Sequence, residues 1–114
     1  MIYFHQNLTK EKWEKFSFFA QMANVGAEIG RSINWREKDN NKSRAAFERG
    51  LELLDLTIED PQNRKHLKEL CCLREVLIDY FYFDNIYGST DKKWQDYFYG
   101  FNYAAAINRE NLTF

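Results

Sequence analysis

The stretch KSRAAFERGLELLDLTIEDP, residues 42–61, decides how this chain folds. Phe47, Leu51, Leu54 and Ile58 recur at three- and four-residue steps, and Ala46, Gly50 and Leu53 widen the stripe. That spacing predicts a helix from about Lys42 to Glu59 with one apolar face. Glu48, Glu52, Asp55 and Glu59 form an acidic strip on its other side. Asp60-Pro61 then ends this helix and begins the next. Asp60 supplies an N-cap carboxylate, and the fixed φ of proline suits the first helical position, where no amide hydrogen is needed. Upstream, Asp39-Asn40-Asn41 is a break in which Asp39 or Asn41 can cap the helix.

Working outward, a first helix is predicted from about Thr9 to Lys38, with Thr9 as N-cap and Glu11 in the positive first turn. Its apolar arc is wide and holds Phe16, Phe19, Met22, Ala23, Gly26, Ala27, Ile29, Gly30 and Ile33. Only Ser17, Gln21, Asn24, Glu28 and Ser32 make a narrow polar strip, so this helix is expected to be central. The small residues would let a neighbouring helix approach closely. A third helix, about Pro61 to Phe83, is expected to bury Leu67, Leu70, Leu73, Leu77, Ile78 and Phe81. After the loop Asp84–Gly88, Ser89 or Thr90 caps a fourth helix, about Asp91 to Arg109, with Trp94, Tyr97, Phe98, Phe101, Ala104 and Ala105 inward. Short linkers make neighbouring helices antiparallel. The fold class expected is all-α: one domain over residues 1–114, an up-down antiparallel four-helix bundle with a long first helix and an apolar N-terminal arm, Ile2 to Phe4.

Composition narrows the functional classes. The 114 residues include 16 basic and 17 acidic side chains, a balance that gives no support to a nucleic-acid partner beyond a local patch. Aromatic residues make up 18%, more than four inward stripes consume, so some rings must reach a surface. Cys71 and Cys72 are the two cysteines, adjacent and about 100° apart on a helix, unsuited to a disulfide with each other. The N-terminus has no basic segment followed by a long apolar one, and the run Val76–Phe83 is short and interrupted by Asp79. The expectation is a soluble protein of a reducing cytoplasm, without membrane association.

Arg74 is the most informative charge, because its direction on the third helix falls within the apolar arc. A guanidinium there needs a partner, since an unpaired buried charge is costly. Asp55 is the candidate at the edge of its helix's apolar arc, and Glu28 is a poorer one on a polar strip. The alternatives are a structural ion pair, a stem packed in the core with its head reaching water, or an arginine facing a ligand or phosphate in a cavity between helices. The acidic strip lacks the Glu-x-x-His companions of a di-metal bundle, so no metal site and no cofactor is expected. Neither cysteine sits at a helix N-terminus, and no phosphate loop, nucleophile elbow or zinc-binding His-Glu-x-x-His is present. Enzymatic activity is not indicated.

The fourth helix carries a second apolar side, Tyr99, Tyr103, Ala106 and Ile107. Tyrosine and tryptophan suit interface cores, so Tyr99, Tyr103 and Ile107, together with Trp13 and Trp35, are the interface candidates. The chain is expected to be a homo-oligomer, at least a dimer, acting as a scaffold or partner subunit.

A short helical chain with a long first helix and an inward arginine resembles the HEPN class of bundles. The resemblance implies a small toxin-, defence- or nucleotide-linked protein that dimerises, and an RNA- or nucleotide-binding use for Arg74. The class signature is Arg, four to six residues, then His. Glu59, Asp60 and Pro61 occupy the positions before His66 where that arginine would stand, and nothing precedes His5. Ribonuclease chemistry is therefore assigned to no residue. The chain likewise resembles a prokaryotic protein family without an assigned activity.

Overall fold

Four of the helices start at a side chain that accepts from their first free amides, whereas the one that begins at Leu67 continues directly from a 3-10 turn with no such cap. Thr9 Oγ1 accepts from Lys12 N at 3.1 Å, Ser17 Oγ from Ala20 N at 3.1 Å, and Asp39 Oδ1 from Asn41 N at 3.1 Å and Lys42 N at 3.2 Å. Thr90 Oγ1 accepts from Lys93 N at 3.1 Å. These caps satisfy donors that the first helical turn leaves unpaired. The computed structural model describes residues 9–112, with side chains as far as Ile107, and the arm Ile2–Phe4 lies outside them. It comprises α1 (Lys10–Glu14), α2 (Phe18–Trp35), α3 (Asn40–Glu59), α4 (Leu67–Tyr82) and α5 (Asp91–Leu112), with a 3-10 turn at Pro61–His66. The protein is all-helical, with no strand among the described residues.

The expected first helix is two helices, so the described residues form five α-helices rather than four. Ser17 is extended at φ −64° and ψ 160°, which ends one helical path and caps the next. The break lets α1 fold back onto α3. Trp13 is thereby buried, and its indole Nε1 donates to Thr57 Oγ1 at 3.1 Å. Trp13 is thus a core residue of its own chain, which corrects its place among the interface candidates.

Contacts run in opposite directions along each neighbouring pair of long helices. Ser32 meets Ser43 while Gln21 meets Asp60, so α2 and α3 are antiparallel. Arg74 meets Asp55 and Phe81 stacks on Phe47 across α3 and α4, and Tyr97 reaches Glu69 while Tyr80 reaches Asp91 across α4 and α5. Two glycines set how closely α2 can be approached. A Cβ on Gly50 would stand 3.1 Å from Ile29 Cδ1, and one on Gly26 would stand 2.6 Å from Phe98 Cβ. The core between these helices is Met22, Val25, Ile29, Phe47, Leu54, Leu70 and Leu77, all but sealed from solvent, with Trp94 and Phe98 closing it from α5.

The polar strip predicted for α2 is largely inside. Gln21 and Ser32 are fully buried and Glu28 nearly so, while Phe16 and Phe19 on the apolar arc are exposed. The reason is supply from α3 and beyond. Ser43 and Ser32 exchange hydroxyl hydrogen bonds with each other's carbonyl oxygens at 2.9 and 2.7 Å, and Arg49 Nε donates to Glu28 Oε2 at 3.1 Å. A buried polar group with its partners in place costs little. Leu67 also departs from expectation: it is 44% exposed at the first position of α4, where the chain leaves its 3-10 turn.

Candidate functional site

Arg74 projects from α4 towards α3 and pairs with Asp55. Its Nε donates to Oδ1 at 2.7 Å and its Nη2 to Oδ2 at 3.4 Å. Asp55 holds the guanidinium pKa above its ordinary value against the opposing effect of burial. The partner expected from sequence is the one found, but the burial is not. Their side chains are 39% and 41% exposed, because Arg74 lies at the open edge between α3 and α4 rather than under the core stripe. Glu28 takes no part, being paired with Arg31 and Arg49 instead. The energetic expectation changes accordingly. A buried pair broken on one side loses roughly 3–5 kcal/mol, whereas an exposed pair contributes about 1 kcal/mol or less. Arg74→Ala is therefore expected to lower stability by no more than about 1 kcal/mol, read from urea unfolding at unchanged m.

Beside Arg74 lies a groove of about 510 Å³, lined on α4 by Cys71, Glu75 and Ile78 and closed by Phe83, Ile86 and Tyr87 from the loop after it. That loop is held by its own backbone chemistry. Asn85 has φ 55° and Gly88 φ 67°, left-handed values that asparagine and glycine tolerate. Asn85 Oδ1 accepts from Ser89 N at 2.8 Å, Asn85 Nδ2 donates to Ser89 O at 2.9 Å, and Tyr87 N donates to Asp79 Oδ2 at 3.2 Å. Phe83 and Ile86, 71% and 76% exposed, are thus carried outwards on an ordered turn.

On α5, Tyr99 and Tyr103 are 68% and 63% exposed, and Ile107 follows them on the same side, also exposed. No charged residue occurs from Tyr97 through Asn108. Trp35 is exposed at the end of α2, with the Lys42 ammonium 4.3 Å from its ring.

Two polar clusters were not legible in the sequence. At one end of the molecule, Arg36 from the turn after α2 grips Asp91 at the start of α5, its Nη2 lying 2.7 and 2.6 Å from Oδ1 and Oδ2. Tyr80 from α4 donates its hydroxyl to the same carboxylate. Burial pushes Asp91 up, but Tyr80 and Arg36 together outweigh it and hold the carboxyl below its usual range. At the other end, Gln21, Asp60, Asn63, Thr57 and Trp13 form a sealed network. The contacts that tie these clusters across the fold join partners 39 to 55 residues apart and leave no periodic trace, so only a capping motif such as Asp60-Pro61 could have hinted at either.

Among the described residues no group of three His, Cys, Asp or Glu side chains is placed to hold a metal ion, and no helix is long and apolar enough to cross a membrane. Cys71 and Cys72 are free and exposed, and His66 stacks on Phe18 with ring centroids 4.0 Å apart. Comparison with protein families, curated proteins and solved structures returned no match. Among the described residues the arrangement offers two surfaces, the groove beside Arg74 and the outer side of α5.

Proposed function

We propose that this chain is a non-catalytic, self-associating helical module that serves as a scaffold or partner subunit, with the second face of α5 in the contact between copies. The observation that carries this reading is the exposure of Tyr99, Tyr103 and Ile107 on a segment without charge. Charge depletion with aromatic enrichment is the compositional mark of an interface core, and rigid tyrosines give contact area at low entropic cost. On this reading the four longer helices act as an up-down bundle, and α1 is a short buttress over Thr57. Two exposed thiols suit a reducing cytoplasm.

A homodimer interface of ordinary size buries about 800 Å² per partner. Sedimentation equilibrium at micromolar concentration is expected to give a mass of at least twice 13.8 kDa. Tyr103→Glu and Ile107→Glu each act twice across a two-fold axis, so together they are expected to weaken association by tenfold or more, about 1.4 kcal/mol. A monomer in the wild type removes the reading, and a dimer indifferent to both substitutions moves its interface off α5. The alternative, an RNA- or nucleotide-binding bundle like the HEPN class, would recruit Arg74. Its guanidinium is already committed to Asp55, which favours the first reading.

A further inference from the structure

The outer face of α4 changes character along its length. Lys68, Cys71 and Glu75 follow at three- and four-residue steps and are all exposed, so they share one side of the helix. The start of that side is basic, with Arg64, Lys65 and Lys68 exposed around an exposed Leu67. Its end is acidic and apolar: exposed Glu75, which accepts from the Tyr87 hydroxyl, and Asp84 border the groove formed with Ile78, Phe83 and Ile86, while the Arg74 guanidinium in that groove is neutralised by Asp55. Lys68 and Glu75 stand symmetrically about the midpoint between Cys71 and Cys72, roughly 10 Å apart along the axis. A face basic at one end and acidic at the other is complementary to itself when turned end for end. A parallel copy would set like charges together, which is repulsive, whereas a two-fold antiparallel copy sets Lys68 against Glu75 twice.

We infer that a second copy of this chain docks antiparallel along the outer face of α4. Leu67 of each copy enters the groove between α4 and the Phe83–Tyr87 loop of the other, Lys68 meets Glu75, and the Cys71 thiols face each other near the axis. Leu67, beside Lys68, is one of the apolar side chains that the fold leaves outside its own core, and the groove of about 510 Å³ has room for it. The groove is pre-organised, because the hydrogen bonds around Asn85 and Asp79 hold Phe83 and Ile86 in place before any partner arrives. This contact shares no residue with the α5 face and does not rest on it. A protomer using both faces builds an assembly larger than a dimer.

The two native cysteines make the contact measurable. In a Cys72→Ser background Cys71 is the one thiol left, and a short bis-maleimide is expected to link two chains into a covalent dimer on denaturing gels. Lys68→Glu alone and Glu75→Lys alone should each cut the yield at least fivefold. The double exchange Lys68→Glu with Glu75→Lys should restore it, because the reciprocal pairs are rebuilt with their signs reversed. All four positions are exposed, and circular dichroism of each variant confirms that the helices stand. The same cross-link should persist when Tyr103→Glu and Ile107→Glu are added. Absence of the covalent dimer, a yield indifferent to single charge reversal, failure of the double exchange to recover it, or its loss in the α5 variants would each overturn the proposal.

Discussion

Gln21→Ala is expected to cost about 3–4 kcal/mol of folding free energy, through lost hydrogen bonds and the cavity left behind. Gln21 is fully buried at the start of α2, where the sequence alone places a polar surface. Its Nε2 donates to Asp60 Oδ2 at 2.7 Å and to Trp13 O at 3.0 Å, while its Oε1 accepts from Asn63 Nδ2 at 2.7 Å. One amide therefore ties α1, α2 and the turn between α3 and α4. Gln21→Met keeps most of the volume but none of the polarity, and the three lost bonds predict about 2–3 kcal/mol. If Met proved as mild as an ordinary volume-conserving swap, the network would be shown to contribute little. Urea unfolding of both variants measures the difference.

The same network predicts a pH dependence. Burial pushes the Asp60 carboxyl up, but donors from Gln62 and Gln21 outweigh it and hold its pKa below the ordinary value. A depressed carboxylate stabilises the fold above its unfolded pKa, and that contribution fades as pH falls through the folded one. The wild type should therefore lose stability below about pH 4 more steeply than Gln21→Met, in which one donor is gone. The gap between the two should narrow on acidification; a constant gap would disconnect Gln21 from the Asp60 charge.

The second large effect concerns the contact of α2 with α5. A methyl on Gly26 would lie 2.6, 2.7 and 2.8 Å from Phe98 Cβ, Cγ and Cδ1. Cβ is fixed to the α5 backbone, so the clash is relieved only by moving a helix. Overpacking of this kind costs about 1–3 kcal/mol. Alanine regains about 1 kcal/mol of helix propensity, so Gly26→Ala should lose up to about 2 kcal/mol net. Gly26→Leu has no such offset and should lose more, up to non-folding. Gly30, one turn on, has nothing within 4 Å of its would-be Cβ. Gly30→Ala should therefore gain about 0.5–1 kcal/mol. Opposite signs at neighbouring glycines of one helix, read as thermal or urea midpoints, would establish that α2 and α5 touch at Gly26.

Much of the local structure follows from sequence because its causes are local. Thr9, Asp39, Asp60 and Thr90 each accept from an amide two or three residues on, and such geometry travels with the residue and its immediate neighbours. The stripe of α3 is narrow enough that 3.6-residue periodicity alone orients it, with Phe47 and Leu54 inside as that periodicity requires, and on α5 Trp94 and Phe98 of the expected inner stripe are inside as well. Asp55 is legible as the partner of Arg74 because it lies at the margin of a well-defined stripe.

Tertiary structure decided what periodicity leaves undetermined. The apolar arc of α2 is so wide that several rotations would bury comparable area, and the choice fell to polar groups supplied by α3 and the following turn. Ser43, Arg49, Asp60 and Asn63 turn Ser32, Glu28 and Gln21 inward, and Phe16 and Phe19 are left outside. The break at Ser17 has the same origin, since it lets Trp13 reach Thr57, 44 residues away. Arg74 is half open to water although its phase on α4 points inward, because the burial of a side chain depends on how near the next helix stands as well as on direction. Helix, cap and stripe are thus properties of the chain read a few residues at a time. Which face is core depends on hydrogen-bond partners that only folding brings within 3 Å or so.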